Sequence, residues 1–386
     1  MFSEDAVLRW RDHVKITHLE LHSVAASHRG TWIFVQLHTD AGLSGLGEAS
    51  QSGNDGLVAA ALEQLGPRLV GADPTQVEVL WEQMARGSAI FSGDTGRVGA
   101  TARSAVDQAL WDLAGKALGV PAWRLLGGKR RDAVRLYANL NRGTRDRSPQ
   151  GFADAARRAV DAGFDAVKST PFDEVHWRRM DRGGVERDAD QGIARLVATR
   201  EAIGDEIELL VDCHQRFDLA LAFKVAEKVR PLDLYWFEEP VPRDRVDALR
   251  QLRLHSGHTI AGGESLVGRE GFWPYIAQGA VDVLMPDVKH AGGITECRRI
   301  AALAEIAQMP IAPHSPAGPV STMAGVHLAA TVANFTVLEY AFGEVDWRGE
   351  LVRPAETIVD GYIRVPDAPG LGIELDEAVL MAHRVQ

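Results

Sequence analysis

The sequence predicts a TIM-type α/β barrel that carries a separate α+β cap, and three observations predict it. Five ionisable side chains each close an apolar run: Asp212 in "ELLVDCH", Glu238 in "LYWFEEP", Glu264 in "IAGGES", Asp287 in "VDVLMPD" and His314 in "PIAPH". Their separations are 26, 26, 23 and 27 residues, the length of one strand, one helix and two short connections, which is the period of a βα unit. The part of the chain before residue 133 lacks that period and shows short alternating runs followed by helical spacing.

From Val14 to Ala49 the runs "VKITHLELHSV", "TWIFVQLHT" and "LSGLGEA" alternate in character, and "DAGL" between the second and third is a hairpin signal. The spacing predicts an antiparallel meander of three strands, with the small polar segment "AASHRGT" as a loop. Helical spacing follows in "DGLVAAALEQLGPRLV", in "PTQVEVLWEQMARG", where Asp73 and Pro74 give a start signal, and in "GATARSAVDQALWDLAGKALGVPAWRLLGG". In the last of these, Ala105, Ala109, Leu110, Leu113 and Leu118 line one face, a packing pattern that needs no functional explanation. Residues 1–132 are therefore expected to form the cap.

Eight strands are expected in residues 133–345: "VRLYANLN", "AVKST", "ELLVDCH", "LYWFEEP", "TIAGGES", "VDVLMPD", "PIAPHS" and "FTVLEY". Helix-length segments such as "PQGFADAARRAVDAG", "RLVATREAIG", "LALAFKVAEKV" and "ITECRRIAALAEIAQ" lie between them. The interval from Lys168 to Asp212 is long, and "PFDEVHWRRMDRGGVERDADQG" is the excess. An insertion after a barrel strand falls at the active-site rim, so it is expected to shape a substrate pocket. After Tyr340 the chain becomes rich in Pro and Gly, and residues 346–386 form a tail.

Bulk properties narrow the function. The chain has 386 residues, 46% hydrophobic and 25% charged, enough for a large core plus a second module. A formal net charge of −11 with no extended basic patch excludes nucleic acid and anionic membranes as partners. Cys213 and Cys297 show no CxxC spacing, so no disulfide framework is expected. Neither a secretory apolar segment nor an apolar run of membrane length is visible, and a cytoplasmic protein is the expectation.

In a β/α barrel the C-terminal strand ends share one rim, where catalytic residues of that fold sit. Asp212, Glu238 and Glu264 would converge there and repel one another unless a cation lies among them. Hard divalent cations prefer such oxygen donors, so the reading is Mg²⁺. Any one of these acids alone could instead cap the following helix, but three in register with an Asp and a His argue against that. Residues two apart in a strand face the same way, so Asp212 shares a face with His214, Glu238 with Trp236 and Lys168 with Thr170. Glu239 would point elsewhere and orient a ligand or a lysine.

The motifs "FDAVKST", "VDCH", "FEEP", "GGES", "MPD" and "PH", taken together, are similar to those of the enolase superfamily, and the chain resembles its mandelate racemase subgroup over nearly its whole length. The resemblance implies a modified (β/α)7β barrel, a C-terminal tail that packs back on the cap, Mg²⁺ at the three acids, and a homo-oligomer, with octamers known in the family. It implies abstraction of the α-proton of a carboxylate by His314 as general base, with Asp287 fixing its tautomer. That proton is so weakly acidic that the anion formed needs a Lewis acid beside it; each tenfold in rate takes about 1.4 kcal/mol.

Departures from the subgroup's patterns select among its reactions. Lys168 matches the first lysine of a Lys-X-Lys motif, but the second is Thr170, which cannot act as the opposite base of a racemase. Lys168 is then expected to pair with the substrate carboxylate or the ene-diolate oxygen. At the position of His214, racemases of the subgroup carry Asn and several acid-sugar dehydratases carry His, as general acid for the leaving hydroxyl. Glu339 is expected at the rim, with Glu344 as competitor, and His28, Arg29, Gln51 and Asn54 of the cap are candidates for distal contacts. Lys289 and His290 follow Asp287 closely, so reaching into the site is open to them, with solvated loop residues as the favoured reading. The expected enzyme is a lyase that dehydrates a sugar acid to a 2-keto-3-deoxy acid. Cycloisomerase, racemase or epimerase activity and a catalytically silent metal-binding barrel are the alternatives.

Overall fold

The structure is a computed structural model that describes residues 14–50, 53–86 and 96–385. The meander is present as β1 (Ile16–Ser27), β2 (Gly30–Thr39) and β3 (Ser44–Glu48), paired antiparallel in that order. The segment "AASHRGT" is not a loop, because the β1–β2 ladder continues through Ala25↔Thr31 to Ser27↔Gly30 and leaves His28 and Arg29 as a two-residue turn. Gly30, at φ 129°, takes a backbone conformation that side chains resist, and this lets the turn close so tightly.

Among the described residues four helices complete the cap: α1 (Asp55–Leu69), α2 (Val77–Arg86), α3 (Gly96–Leu118) and α4 (Ala122–Leu125). Asp73 accepts from the Thr75 amide and hydroxyl, so "DPTQ" forms a turn and α2 starts only at Val77. Helix α3 lies against β3 almost without side chains between them: a Cβ on Gly47 would come within 1.9 Å of the Ala105 carbonyl oxygen, and one on Gly45 within 2.2 Å of that of Ala109. This is why small residues recur on both partners.

The barrel strands β4 (Ala133–Asn139), β5 (Ala166–Ser169), β6 (Glu208–Asp212), β7 (Leu234–Glu238), β8 (Ile260–Gly262) and β9 (Val283–Leu284) pair in parallel in sequence order. The expected strand "PIAPHS" is reduced to bridges from Ile311 to Leu284 and to Phe335. Pro310 and Pro313 flank it, and neither has an N–H to extend a ladder. β10 (Leu338–Ala341) then pairs in parallel with β4 and closes the ring. Between the strands run α5 (Pro149–Asp161), α6 (Arg182–Ile203), α7 (Leu219–Val229), α8 (Val246–His255), α9 (Gly268–Gln278), α10 (Gly293–Ile306) and α11 (Pro319–Thr331). The expected (β/α)7β barrel with its cap is what the chain forms. Half of the long interval after Lys168 is helix rather than rim loop, since α6 starts at Arg182 with Asp181 accepting from the Gly184 amide as its N-cap.

Tyr137, Ala166, Leu210, Trp236, Ala261, Val283, Met285, Ala312 and Val337 fill the barrel interior as one buried cluster. Two residues further along their strands come Asn139, Lys168, Asp212, Glu238, Asp287, His314 and Glu339. The period of a strand thus sets a polar layer directly on an apolar plug.

The tail contacts both units. β11 (Ile358–Val359) and β12 (Tyr362–Arg364) form a hairpin, and β12 pairs antiparallel with the first half of β4. The Leu371 amide then donates to Asp112 of α3, and the Val385 amide donates to Ser23 of β1. Among the described residues no helix is long and apolar enough to cross a membrane.

Candidate active site

Asp212 and Glu238 are the last residues of β6 and β7, and Glu264 follows β8 by two residues. Oxygen atoms of all three lie within 4.8 Å of one another. The two glycines of "GGES" allow this approach: Gly263 takes φ 110°, and a Cβ on Gly262 would lie 3.3 Å from Glu239 Cγ. Burial, together with the charges of Asp212 and Glu264, pushes Glu238 well above the usual carboxylate range against the pull of Lys168. Three carboxylates, Asp212 and Glu238 buried and Glu264 half-buried at the cavity, with oxygen donors facing one point fit a hard divalent cation. Among the described residues a second potential metal-binding group, His18, Glu20 and His38, lies on the cap sheet.

Glu239 turns away, as the strand period requires. Its φ is 37°, its carboxylate accepts from the Gly263 amide at 3.1 Å and from Gln215, and burial raises it to about 7. Trp236 does share a face with Glu238, and its Nε1 donates to Glu238 Oε2 at 3.1 Å. Lys168 is enclosed, with Nζ 3.2 Å from Glu238 Oε1, 3.0 Å from Glu339 Oε1 and 5.1 Å from the centre of the Tyr137 ring. Burial would lower it, but Glu238 and Glu339 raise it well above the ordinary lysine value. Glu339 also accepts from Asn139 Nδ2 at 2.5 Å and from the Ser315 amide at 2.9 Å.

His314 stands over the acids. Its Nε2 is 3.0 Å from Glu264 Oε2 and 3.7 Å from Glu339 Oε2, and its Nδ1 is 2.6 Å from Asp287 Oδ2. Burial alone would lower its pKa; Glu264 and Glu339, with the Asp287 hydrogen bond, raise it to about 10. Burial would raise Asp287, yet Lys289, His290 and His314 hold it far below the usual range. His214 lies just past the end of β6 at φ 47°, with Nε2 2.9 Å from Asp212 Oδ2. Burial disfavours its charge, and Asp212 outweighs burial to raise it.

A cavity of about 150 Å³ opens between barrel rim and cap, and Asp212, His214, Glu264 and His314 line it. Lys168, Glu238 and Glu339 support this wall from beneath. Of the cap candidates, Arg29 lines the cavity and donates to Asn141 at 3.3 Å, whereas His28 and Asn54 are exposed and do not line it. Gln51 lies outside the described residues. Glu344 accepts from Ser27 at 2.8 Å and Arg142 at 3.1 Å, tying the β1–β2 turn to the barrel. Lys289 and His290 are each 1% exposed and line the cavity, so the expectation of solvated loop residues is wrong. The compact turn after β9 folds them inward, with Asp287 accepting from the Lys289 amide. Arg97, Asn139 and Arg142 also line the cavity, and no motif in the sequence marks them. Asn139 was within reach of the strand-period argument, two residues past Tyr137.

Residues 8–127 match the family model of the mandelate racemase / muconate lactonizing enzyme N-terminal domain, and residues 151–379 match that of the enolase C-terminal domain-like family. A D-xylonate dehydratase of Haloferax volcanii is 35% identical over 360 residues, which is 92% of this chain and 86% of that protein. A D-galactonate dehydratase of Verminephrobacter eiseniae is 36% identical, over 95% of this chain and 94% of that one. Among solved structures, a mandelate racemase/muconate lactonizing enzyme-like protein from Rubrobacter xylanophilus superposes with a TM-score of 0.89 at 37% identity, covering 96% of this chain and 98% of the other.

Proposed function

This chain belongs to the mandelate racemase / muconate lactonizing enzyme family of the enolase superfamily, and from that premise we propose that it is a hydro-lyase removing water from a sugar acid. The observation that supports this most directly is the pair of imidazoles, His314 and His214, on the wall of one cavity beside the acid triplet. The similarity to sugar-acid dehydratases at about 35% identity supports it independently.

Asp212, Glu238 and Glu264 are the residues that would hold a divalent cation, Mg²⁺ by donor type, and the bound ion supplies Lewis acidity to the substrate carboxylate. Lys168 neutralises Glu238 and Glu339 from below and so positions both. In its neutral form His314 accepts the α-proton at Nε2. Asp287 keeps the other ring nitrogen protonated and carries the imidazolium that forms. The electron pair of the broken C–H bond becomes the new carbon–carbon double bond, and the β-carbon–oxygen bond breaks. His214, on the cavity wall 2.9 Å from Asp212, gives the proton of its imidazolium to the departing hydroxyl, so water leaves and the enol tautomerises to a 2-keto-3-deoxy acid. Buried free thiols at Cys213 and Cys297 suit a reducing cytoplasm, and a homo-oligomeric assembly belongs to the same reading.

The test is a panel of sugar acids incubated with the protein and Mg²⁺ in deuterated water. Keto-acid product one water lighter than its substrate is the expected result. Absence of both product and α-deuterium across the panel would overturn the reading, and an isomer of unchanged mass would replace dehydration by cycloisomerisation.

A further inference from the structure

The wall of the cavity opposite in charge to the acid triplet is assembled from four separate parts of the chain. Arg29 comes from the β1–β2 turn, Arg97 from the start of α3, Arg142 from the segment after β4, and Lys289 from the turn after β9. A solvated charge run does not arise this way, because four elements of two units each deliver one cation to a space of about 150 Å³.

These cations are neighbours of one another rather than of the acids. Asp287, Arg142, Glu48 and Arg97 are the strongest charges acting on Lys289, and Arg142, Arg147, Asp173 and Glu344 those acting on Arg29. The acid Glu264 instead feels His314, His214 and Lys168. The cavity therefore has a negative end and a positive end.

The positive end is under-compensated. Arg142 is engaged by Glu344, but Lys289 is only 1% exposed and its ammonium meets no closer anion among the described residues than Asp287 at 3.7 Å. Asp287 is itself already engaged by His314 at 2.6 Å. On the same wall, Nε2 of His290 is buried without a hydrogen-bond partner, and so is Nε of Arg97. Lys289 is enclosed beside Arg142 and Arg97, and burial lowers it first, so it is a cation that an added anion would compensate.

Resting on the hydro-lyase reading for its placement of the reacting carboxylate at the acid triplet, we propose that Arg29, Arg97, Arg142 and Lys289 form a second anion subsite, and that the substrate is a dicarboxylic sugar acid. Its reacting carboxylate lies at the acid end, and its far carboxylate is held by Lys289 and the arginine forks. A carboxylate rather than a phosphate suits the small space. The inference departs from the names of the similar proteins, whose acids carry one carboxylate.

The experiment is isothermal titration of the Mg²⁺-loaded protein with aldaric acids and with the aldonic acids of matching chain length and configuration. The expected result is a diacid bound at least tenfold tighter than its matched monoacid. In Lys289→Met, and separately in Arg97→Met should the buried variant fail to fold, the ratio of the two affinities is expected to collapse at least tenfold. Equal binding of both acids, binding of neither, a variant that leaves the ratio unaltered, or tight binding only of a terminally phosphorylated aldonic acid would each overturn the dicarboxylate subsite. Deuterium uptake at the α-carbon, read on the same acids, separates the two ideas. A diacid that binds selectively without exchange would sink the lyase reading and keep the subsite, and exchange confined to monoacids would sink the subsite and keep the lyase.

Discussion

Nδ1 of His314 lies 2.6 Å from Oδ2 of Asp287, and the other Asp287 oxygen accepts from the Lys289 amide at 2.7 Å. The carboxylate is thereby fixed on both sides and presents one tautomer of the imidazole to the cavity. Asp287→Asn preserves volume but removes the charge and permits the wrong tautomer. Turnover is expected to fall by on the order of 10²–10⁴-fold with little change in secondary structure. Retention of more than a tenth of wild-type turnover would mean that His314 is not the base.

The acid triplet predicts a stability response that needs no substrate. Unfolding followed against Mg²⁺ concentration is expected to show stabilisation of about 2.7 kcal/mol at a hundredfold excess over the dissociation constant. In Glu264→Gln the response shrinks or vanishes, because one of three anionic donors is gone. A wild-type melting temperature indifferent to Mg²⁺ would remove the metal assignment.

Lys168 bridges two carboxylates that are otherwise buried together. Lys168→Met keeps the length of the side chain and leaves Glu238 and Glu339 uncompensated, a change worth about 3–5 kcal/mol when one partner of a buried ion pair is removed. Urea unfolding measures it. A loss under about 1 kcal/mol would show that the carboxylates neutralise by taking up protons instead.

His327 on α11 accepts from the Trp123 amide at Nδ1 and donates from Nε2 to the Leu371 carbonyl, and burial lowers it to about 4. The unfolded chain therefore binds a proton between about pH 6.5 and 4 that the folded chain refuses. The contribution is complete above pH 6.5 and is lost as pH falls toward 4, by about 1.4 kcal/mol per unit. His327→Asn retains an acceptor near the Nδ1 position and does not titrate. Between pH 7 and 5 the wild type is expected to lose about 2 kcal/mol more stability than this variant, and parallel pH profiles would refute the assignment.

The parts of the molecule legible in the sequence are those governed by a period. The βα repeat and the two-residue alternation of strands are enough to bring Asp212, Glu238, Glu264, Asp287 and His314 to one rim. The misses have physical causes. "AASHRGT" has too few large side chains to show alternation, so a ladder looked like a loop. The first half of α6, "RGGVERDADQG", is polar nearly all round and shows no apolar face. Arg97 and Arg142 sit where no repeat operates, at a helix start and in a connection, so nothing local announced them.

The route of the tail has a consequence for how the protein is made. Residues 362–364 supply the outer neighbour of the first barrel strand, and residues 371 and 385 hydrogen-bond to α3 and β1. The edge of the cap sheet is thus covered only by peptide that follows the whole barrel in sequence. Removing residues 352–385 is expected to loosen both units at once, and the cap expressed by itself would expose the surfaces that this strap normally fastens.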